Sequence, residues 1–249
     1  MDKNIAVLGT GANGSVISSD LIGAGLDITM IDMWAEHVEA MRANGLTITS
    51  NKDDDINIPV NAYHLSDVCT FREKFDVVLL VSKAYDAGWL AKFIEPHLAA
   101  DGVVVGIQNA MTAENIAEVV GVERTVGHVV ELASQLFDPG VVHRSTSKNH
   151  TWHGVGTFDP SQERHVELIT ELCRHNGQVE VIDDILSAKW MKLIVNAMVM
   201  GSMAVLGGTP EQVLQQNGPE FAARARKCFR QAGEEALAVG QTLDYQVVP

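Results

Sequence analysis

Apolar residues in this chain gather into short continuous runs separated by amphipathic stretches. Ile5–Leu8, Ile28–Ile31, Phe75–Val81, Val103–Ile107 and Thr125–Val130 are rich in Val, Ile and Leu. Runs of this kind suit strands buried on both faces of a parallel sheet. Helical patterns lie between them, from a glycine turn to about Ala24, over Glu36–Ala43, from about Asp86 to Leu98, and over Thr112–Val120. Asn44-Gly45 stops the second helix, and Asp101-Gly102 reads as a turn before the next strand. Leu46–Thr49 and Ile56–Val60 suit short edge strands around the acidic turn Asp53-Asp54-Asp55, a solvated loop. Strands alternating with helices imply right-handed crossovers and a mainly parallel sheet.

From Gly140 to Phe158 the pattern becomes alternating and polar, as in an antiparallel extension. A helix over Pro160–His175 and a last strand at Val179–Ile182 follow. Beyond Asp183 the periodicity is helical throughout: Asp184–Leu206, Thr209–Gln216, and Pro219 to about Val239. The expected architecture is therefore α/β, with a doubly wound sheet over residues 1–183 and a smaller all-α domain over 184–249. The apolar stretch Leu193–Gly208 is broken by Asn196, Gly201 and Ser202. It falls short of the roughly 18 consecutive apolar residues of a spanning segment, so it reads as a buried helix and no membrane association is expected.

The most informative stretch is Met1–Asp32. The strand Ile5–Leu8 runs straight into Gly9-Thr10-Gly11-Ala12-Asn13-Gly14, then a helix, then a strand ending in Asp32. This is the order of a dinucleotide-binding unit. Gly9 permits the tight turn, Gly11 lets backbone approach a pyrophosphate, and Gly14 lets the helix lie close to the sheet. Ala12 and Asn13 open the helix, whose free N–H groups and positive dipole end favour phosphate. A carboxylate at Asp32 accepts from a ribose 2′-hydroxyl and repels a 2′-phosphate. Met33-Trp34-Ala35-Glu36-His37 carries no Arg or Lys to offset that repulsion, so NAD is favoured and NADP remains open. The simpler alternatives are a structural glycine turn and an Asp32 that only caps the next helix.

Composition narrows the classes. The chain has 249 residues, 46% hydrophobic and 20% charged, which suits an ordinary globular protein. A formal net charge of −14 argues against nucleic acid as a partner. Cys69, Cys173 and Cys228 are few and widely spaced, as expected of reduced thiols in a cytoplasm. The N-terminus enters a strand with no basic or apolar leader, so a cytoplasmic location is expected.

Ligands of open α/β sheets bind beyond the carboxyl ends of the strands, which singles out Lys83 in Ser82-Lys83-Ala84-Tyr85 and Asn109 in Gln108-Asn109-Ala110. Lys83 suits a phosphate or an anionic substrate, or is simply an exposed lysine at a helix start. Asn109 suits a carboxamide or substrate contact, or is a turn residue. Further on, Lys192 and Asn196 stand at i and i+4 on one helical face within an apolar series. A desolvated lysine has the lowered pKa a general acid needs, unless its ammonium snorkels to the surface. Lys189 reads as the solvent-exposed lysine of the pair. His150 and His153 lie in a strand region with no matching carboxylate or Cys cluster, so no metal is expected. Ser145-Thr146-Ser147 lacks a nucleophile elbow.

Taken in order, Gly9–Gly14, Arg42-Ala43-Asn44-Gly45-Leu46, Ser82–Tyr85, Gln108-Asn109 and Lys192-Leu193-Ile194-Val195-Asn196 resemble the ketopantoate reductase family, in the 6-phosphogluconate dehydrogenase-like group. The resemblance runs from Ile5 to about Val239. It implies a Rossmann domain followed by a helical domain, and hydride transfer between nicotinamide and a small anionic 2-oxo or 2-hydroxy acid. It also implies Lys192 as general acid, Asn196 and Asn109 as substrate or nicotinamide contacts, and Lys83 as a cofactor or substrate contact. Exposed apolar surface on the helical domain would favour a homodimer. Departures are Asp32 where an Arg is usual with NADPH, Ala110 for a Gly, and Met200 for a second Asn. The family's chain continues beyond the position of Pro249 through a segment supplying a Ser and a Glu, so the expectation is either an incomplete chain with a truncated helical domain or a site that lacks that end. A catalytically impaired nucleotide-binding or sensing protein is the alternative function.

Overall fold

The computed structural model describes residues 3–208, 212, 215 and 218–247. The chain divides into two compact units. One runs to Gln108 and from Thr112 to Ile185; the other takes Asn109–Met111 and Leu186 onward.

The first unit contains β1 (Ile5–Leu8), α1 (Ala12–Gly23), β2 (Ile28–Asp32), α2 (Ala35–Asn44), β3 (Leu46–Ser50), β4 (Ile56–Ile58), β5 (Asn61–His64), β6 (Phe75–Leu80) and α3 (Ala87–Ile94). It continues through β7 (Leu98–Gly106), α4 (Ala113–Val120), β8 (Thr125–Glu131), β9 (Ser134–Asp138), β10 (Val141–Arg144), β11 (Trp152–Gly156), α5 (Glu163–Arg174) and β12 (Gln178–Val181). The main sheet has the order β12-β11-β8-β7-β6-β1-β2-β5. All neighbours are parallel except β8 and β11. The chain leaves β1 toward β2 and returns on its other side at β6, so the strand order reverses at β1. A crevice opens at such a point, beyond the strand ends.

The continuous apolar runs behave as buried parallel strands must. Ile5 and Val7 of β1 with Val77 and Leu79 of β6 face one core layer. Ala6, Leu8, Val78 and Leu80 face the other, because successive side chains alternate across a strand. A second, four-stranded sheet has the order β4-β3-β10-β9. The expected antiparallel extension is thus shared between two sheets, β10 joining the small one and β11 the large one. Arg144, at the end of β10, is buried and pairs with Asp20 of α1 at 2.8 Å. Its other nitrogens donate to the Thr146 carbonyl and the Thr151 hydroxyl.

Three boundaries differ from the sequence reading. The third helix stops at Ile94, and Glu95–His97 tightens into a single turn carrying Pro96. The Asp101-Gly102 pair lies within β7 rather than before it, and the pairing with β6 shifts register between Phe75 and Val77. Pro59 separates β4 from β5, which pairs parallel with β2.

In the second unit, α6 (Ile185–Leu206) runs antiparallel to α7 (Gly218–Thr242). The indole N–H of Trp190 donates to the Ala236 carbonyl at 3.1 Å, Trp190 stacks on Tyr245, and Gly233 lies under Met198. Apart from Gln212 and Gln215, the expected helix Thr209–Gln216 lies outside the described residues.

Two expectations for α6 are overturned. Lys189, read as solvent-exposed, is fully buried, whereas Lys192 is only half-buried. Burial here follows depth along the helix axis: no residue of Ile185–Trp190 is exposed, whichever way it points. Leu193–Gly208, read as buried, is largely bare. Ala197, Met200, Gly201, Ala204 and Val205 form an exposed stripe at i, i+3, i+4, i+7 and i+8, since α7 covers only one side. By length and mean hydropathy (1.2 over its most apolar window) α6 is a helix that could cross a membrane, and 11% of that window is buried.

Candidate functional site

At the carboxyl ends of β1, β2 and β6 lies a cleft of about 400 Å³. Gly9, Gly11, Ala12, Asn13, Asp32 and Lys83 all line it. Each arrives from the end of a strand or the start of a helix, where the parallel sheet leaves backbone groups unspent.

The glycine turn is built for close approach. Gly9 has φ +92°, and a Cβ there would lie 3.0 Å from the Val81 and Ser82 backbone. A Cβ on Gly14 would lie 2.1 Å from the Gly9 carbonyl oxygen, so Gly14 supports the turn from beneath. Gly11 instead faces open space, and a Cβ added there would meet nothing within 4 Å. It is the N-cap of α1, which has no side-chain cap and no acid in its first turn. The α1 terminus therefore presents uncapped N–H groups to the cleft, the arrangement that binds phosphate.

Asp32 is 8% exposed. One carboxylate oxygen accepts from Trp34 N–H at 2.8 Å, and the other lies 3.4 Å from the Thr10 hydroxyl. The carboxylate thus caps the turn into α2 while also lining the cleft. Lys83 is exposed at the mouth, and it is the one cation among the residues lining the cleft, where Asp32 and Asp86 both stand. The Asn13 amide is held by the far side of the sheet, donating to the Leu132 carbonyl at 3.3 Å and accepting from Ser134 Oγ at 2.5 Å.

Behind the turn sits His37, fully buried and unmarked by any sequence motif. Gly140 N–H donates to its Nδ1 at 2.9 Å, so Nε2 carries the proton and donates to the Thr10 carbonyl at 2.9 Å. Burial lowers its pKa, outweighing the Thr10 carbonyl and the Asp32 charge, which pull it upward. The neutral ring thereby ties the glycine turn to the β9–β10 hairpin. Met33, Leu65 and Ser134 of the lining were also missed, because residues distant in sequence meet there through sheet order alone.

Asn109 does not line this cleft; it groups with the second unit, which also carries Lys192 and Asn196. Gln108 precedes it and closes the sheet end, donating to the Leu80 carbonyl at 2.7 Å and accepting from Thr112 Oγ1 at 3.0 Å. Lys192 and Asn196 are both half-buried on α6. The desolvated ammonium is that of Lys189, whose pKa burial pushes down to about 8.

Residues 5–157 match the family described as ketopantoate reductase PanE/ApbA. The chain is 28% identical over 222 residues to a 2-dehydropantoate 2-reductase of Nostoc sp., covering 86% of this chain and 66% of that protein. It is 30% identical over 212 residues to one of Pyrococcus horikoshii, covering 81% and 64%. It thus spans just under two thirds of the length of these two relatives. A crystal structure of 2-dehydropantoate 2-reductase from Geobacter metallireducens superposes with a TM-score of 0.80 at 26% identity, covering 94% of this chain and 74% of that one. With well over half its length matched, the chain belongs to the ketopantoate reductase family.

Proposed function

We propose that the protein is an NAD-dependent oxidoreductase that interconverts a small 2-oxo acid, ketopantoate or a relative of it, with the 2-hydroxy acid. The observation that carries this reading is the glycine-lined cleft, with an uncapped helix terminus at one wall and Asp32 at the other. The terminus suits a pyrophosphate and Asp32 a ribose diol, while Met33–His37, directly after it, brings no Arg or Lys to invite a 2′-phosphate. Residues 1–183 would hold the dinucleotide and 184–249 the substrate.

When bound, the dinucleotide supplies the hydride. Reduction of a 2-oxo acid there would also need one proton at the carbonyl oxygen to give the 2-hydroxy acid. Lys192 delivers the proton and Asn196, one turn on, hydrogen-bonds the substrate. Asn109 contacts substrate or nicotinamide. Lys83 offers its charge to the phosphates or to the substrate carboxylate. Lys192 takes the acid's role from the Lys-Leu-Ile-Val-Asn motif, whereas the buried Lys189 acts in structure.

Replacing Lys192 with Ala should lower turnover of 2-oxo acids by about 10²–10⁴ while NADH binding persists. Lys189→Met should lower stability and leave kcat within a few fold. An unchanged rate in Lys192→Ala, or the larger kinetic loss in Lys189→Met, would overturn the assignment. The competing reading is a nucleotide-binding protein without turnover, favoured by the exposed Met200 where the family pattern has an Asn. Robust reduction of any small 2-oxo acid ends that reading.

A further inference from the structure

Away from the cleft, three metal-ligating side chains converge in the core. β8 and β11 run antiparallel with His128 opposite Val155 and His153 opposite Val130. The two imidazoles are therefore diagonal neighbours on one face of the sheet. His128 Nε2 lies 3.0 Å from His153 Nδ1. Cys173 of α5 brings its Sγ to 3.8 Å from His128 Nε2. The three donor atoms all lie within 4.8 Å of one another, and all three residues are buried, in the core layer that holds Val130, Val155, Ile169 and Leu172.

The surroundings orient these donors. Asn176 Nδ2 donates to Asp20 Oδ2 at 2.8 Å, so its amide oxygen faces His153 Nε2 as acceptor at 2.7 Å. Nε2 then carries the proton, and the Nδ1 lone pair turns toward His128 and Cys173. A carboxylate and an amide behind a histidine are the kind of outer contacts that fix a ligating ring. Thr170, one turn before Cys173 on α5, has a buried hydroxyl with no hydrogen-bond partner among the described residues.

We propose that His128 Nε2, His153 Nδ1 and Cys173 Sγ form a buried site for a thiophilic divalent cation of the zinc type. Around a tetrahedral zinc, two imidazole nitrogens sit about 3.3 Å apart and nitrogen and thiolate about 3.6 Å apart. The observed 3.0 and 3.8 Å need shifts of only a few tenths, and the third pair, His153 Nδ1 and Cys173 Sγ within 4.8 Å, would close toward about 3.6 Å as the ion draws the thiolate in. Binding exchanges a proton for the ion without redox change: Cys173 loses its thiol proton to solvent, and the His128 proton moves from Nε2 to Nδ1. The ion would clasp the antiparallel β8–β11 pair to α5, on residues that do not line the cleft.

Three cysteines make the test direct, since Cys69 and Cys228 are exposed. In the full chain carrying Cys69→Ser and Cys228→Ser, Cys173 is the sole thiol. Co²⁺ supplied during expression should give about one equivalent with tetrahedral visible bands and a thiolate-to-cobalt charge-transfer band. Adding Cys173→Ser should abolish the charge-transfer band, and Zn²⁺ should raise the melting temperature of the double variant only while Cys173 is present. A folded double variant that shows no thiolate–cobalt band, with or without cobalt elsewhere on its surface, would overturn the proposal.

Discussion

A methyl group added at Gly14 would come within 2.1 Å of a carbonyl oxygen, whereas one added at Gly11 would meet nothing within 4 Å. Two glycines of one motif thus serve different ends, and single substitutions separate them. Gly14→Ala should destabilise the fold by about 1–3 kcal/mol, as overpacking does. Gly11→Ala should stay within about 1 kcal/mol of the parent yet weaken NADH binding at least tenfold, because its Cβ enters the space the pyrophosphate needs. Guanidinium denaturation and cofactor titration measure the two effects, and variants that behaved alike would refute the distinction. Both glycines were legible from spacing alone. Lys189 and Lys192 were not: they lie three residues apart on one helix, and nothing local says which stretch of that helix is enclosed.

Strands buried on both faces announce themselves, since β1, β2, β6 and β8 are nearly unbroken apolar runs. β5 (Asn-Ala-Tyr-His) and β9 (Ser-Gln-Leu-Phe-Asp) carry no such signal. They form because β2 and β10 offer them unpaired edges, which is tertiary information. The same holds for the histidines that these elements enclose. Burial is the main cause that lowers the pKa of His37, His97, His153 and His165, that of His153 to about 4. A folded-state value below the unfolded 6.5 means that the unfolded chain gains protons first. Stability is therefore full above about pH 6.5 and falls as pH drops toward the folded value. His153 alone would account for about 2 kcal/mol of loss by pH 5. In protein stripped of metal by a chelator, the guanidinium midpoint should fall between pH 7.5 and 5, and His153→Gln should flatten that slope. An equal slope in the variant would contradict the assignment to His153. Surface carboxylates with lowered pKa, such as Asp67 and Glu39, add their loss only at lower pH.

Over the whole molecule, a formal charge of −14 repels anions, so the proposed dinucleotide would have to be held locally, by the α1 terminus, the glycine turn and Lys83. The order of strand, glycine turn, helix, strand and acid made that half of the site readable from sequence, because it is contiguous. The exposed stripe of α6 was unreadable, since hydropathy reports that a helix is apolar and not whether anything covers it. The proposed preference for NAD rests on Asp32 facing a ribose 2′-hydroxyl. Titrating the purified full chain with NADH and with NADPH, and following nicotinamide fluorescence, tests it most directly. NADH should bind at least about tenfold tighter than NADPH, a difference of about 1.4 kcal/mol. NADPH binding as tightly or more tightly, or no binding of either, would contradict it.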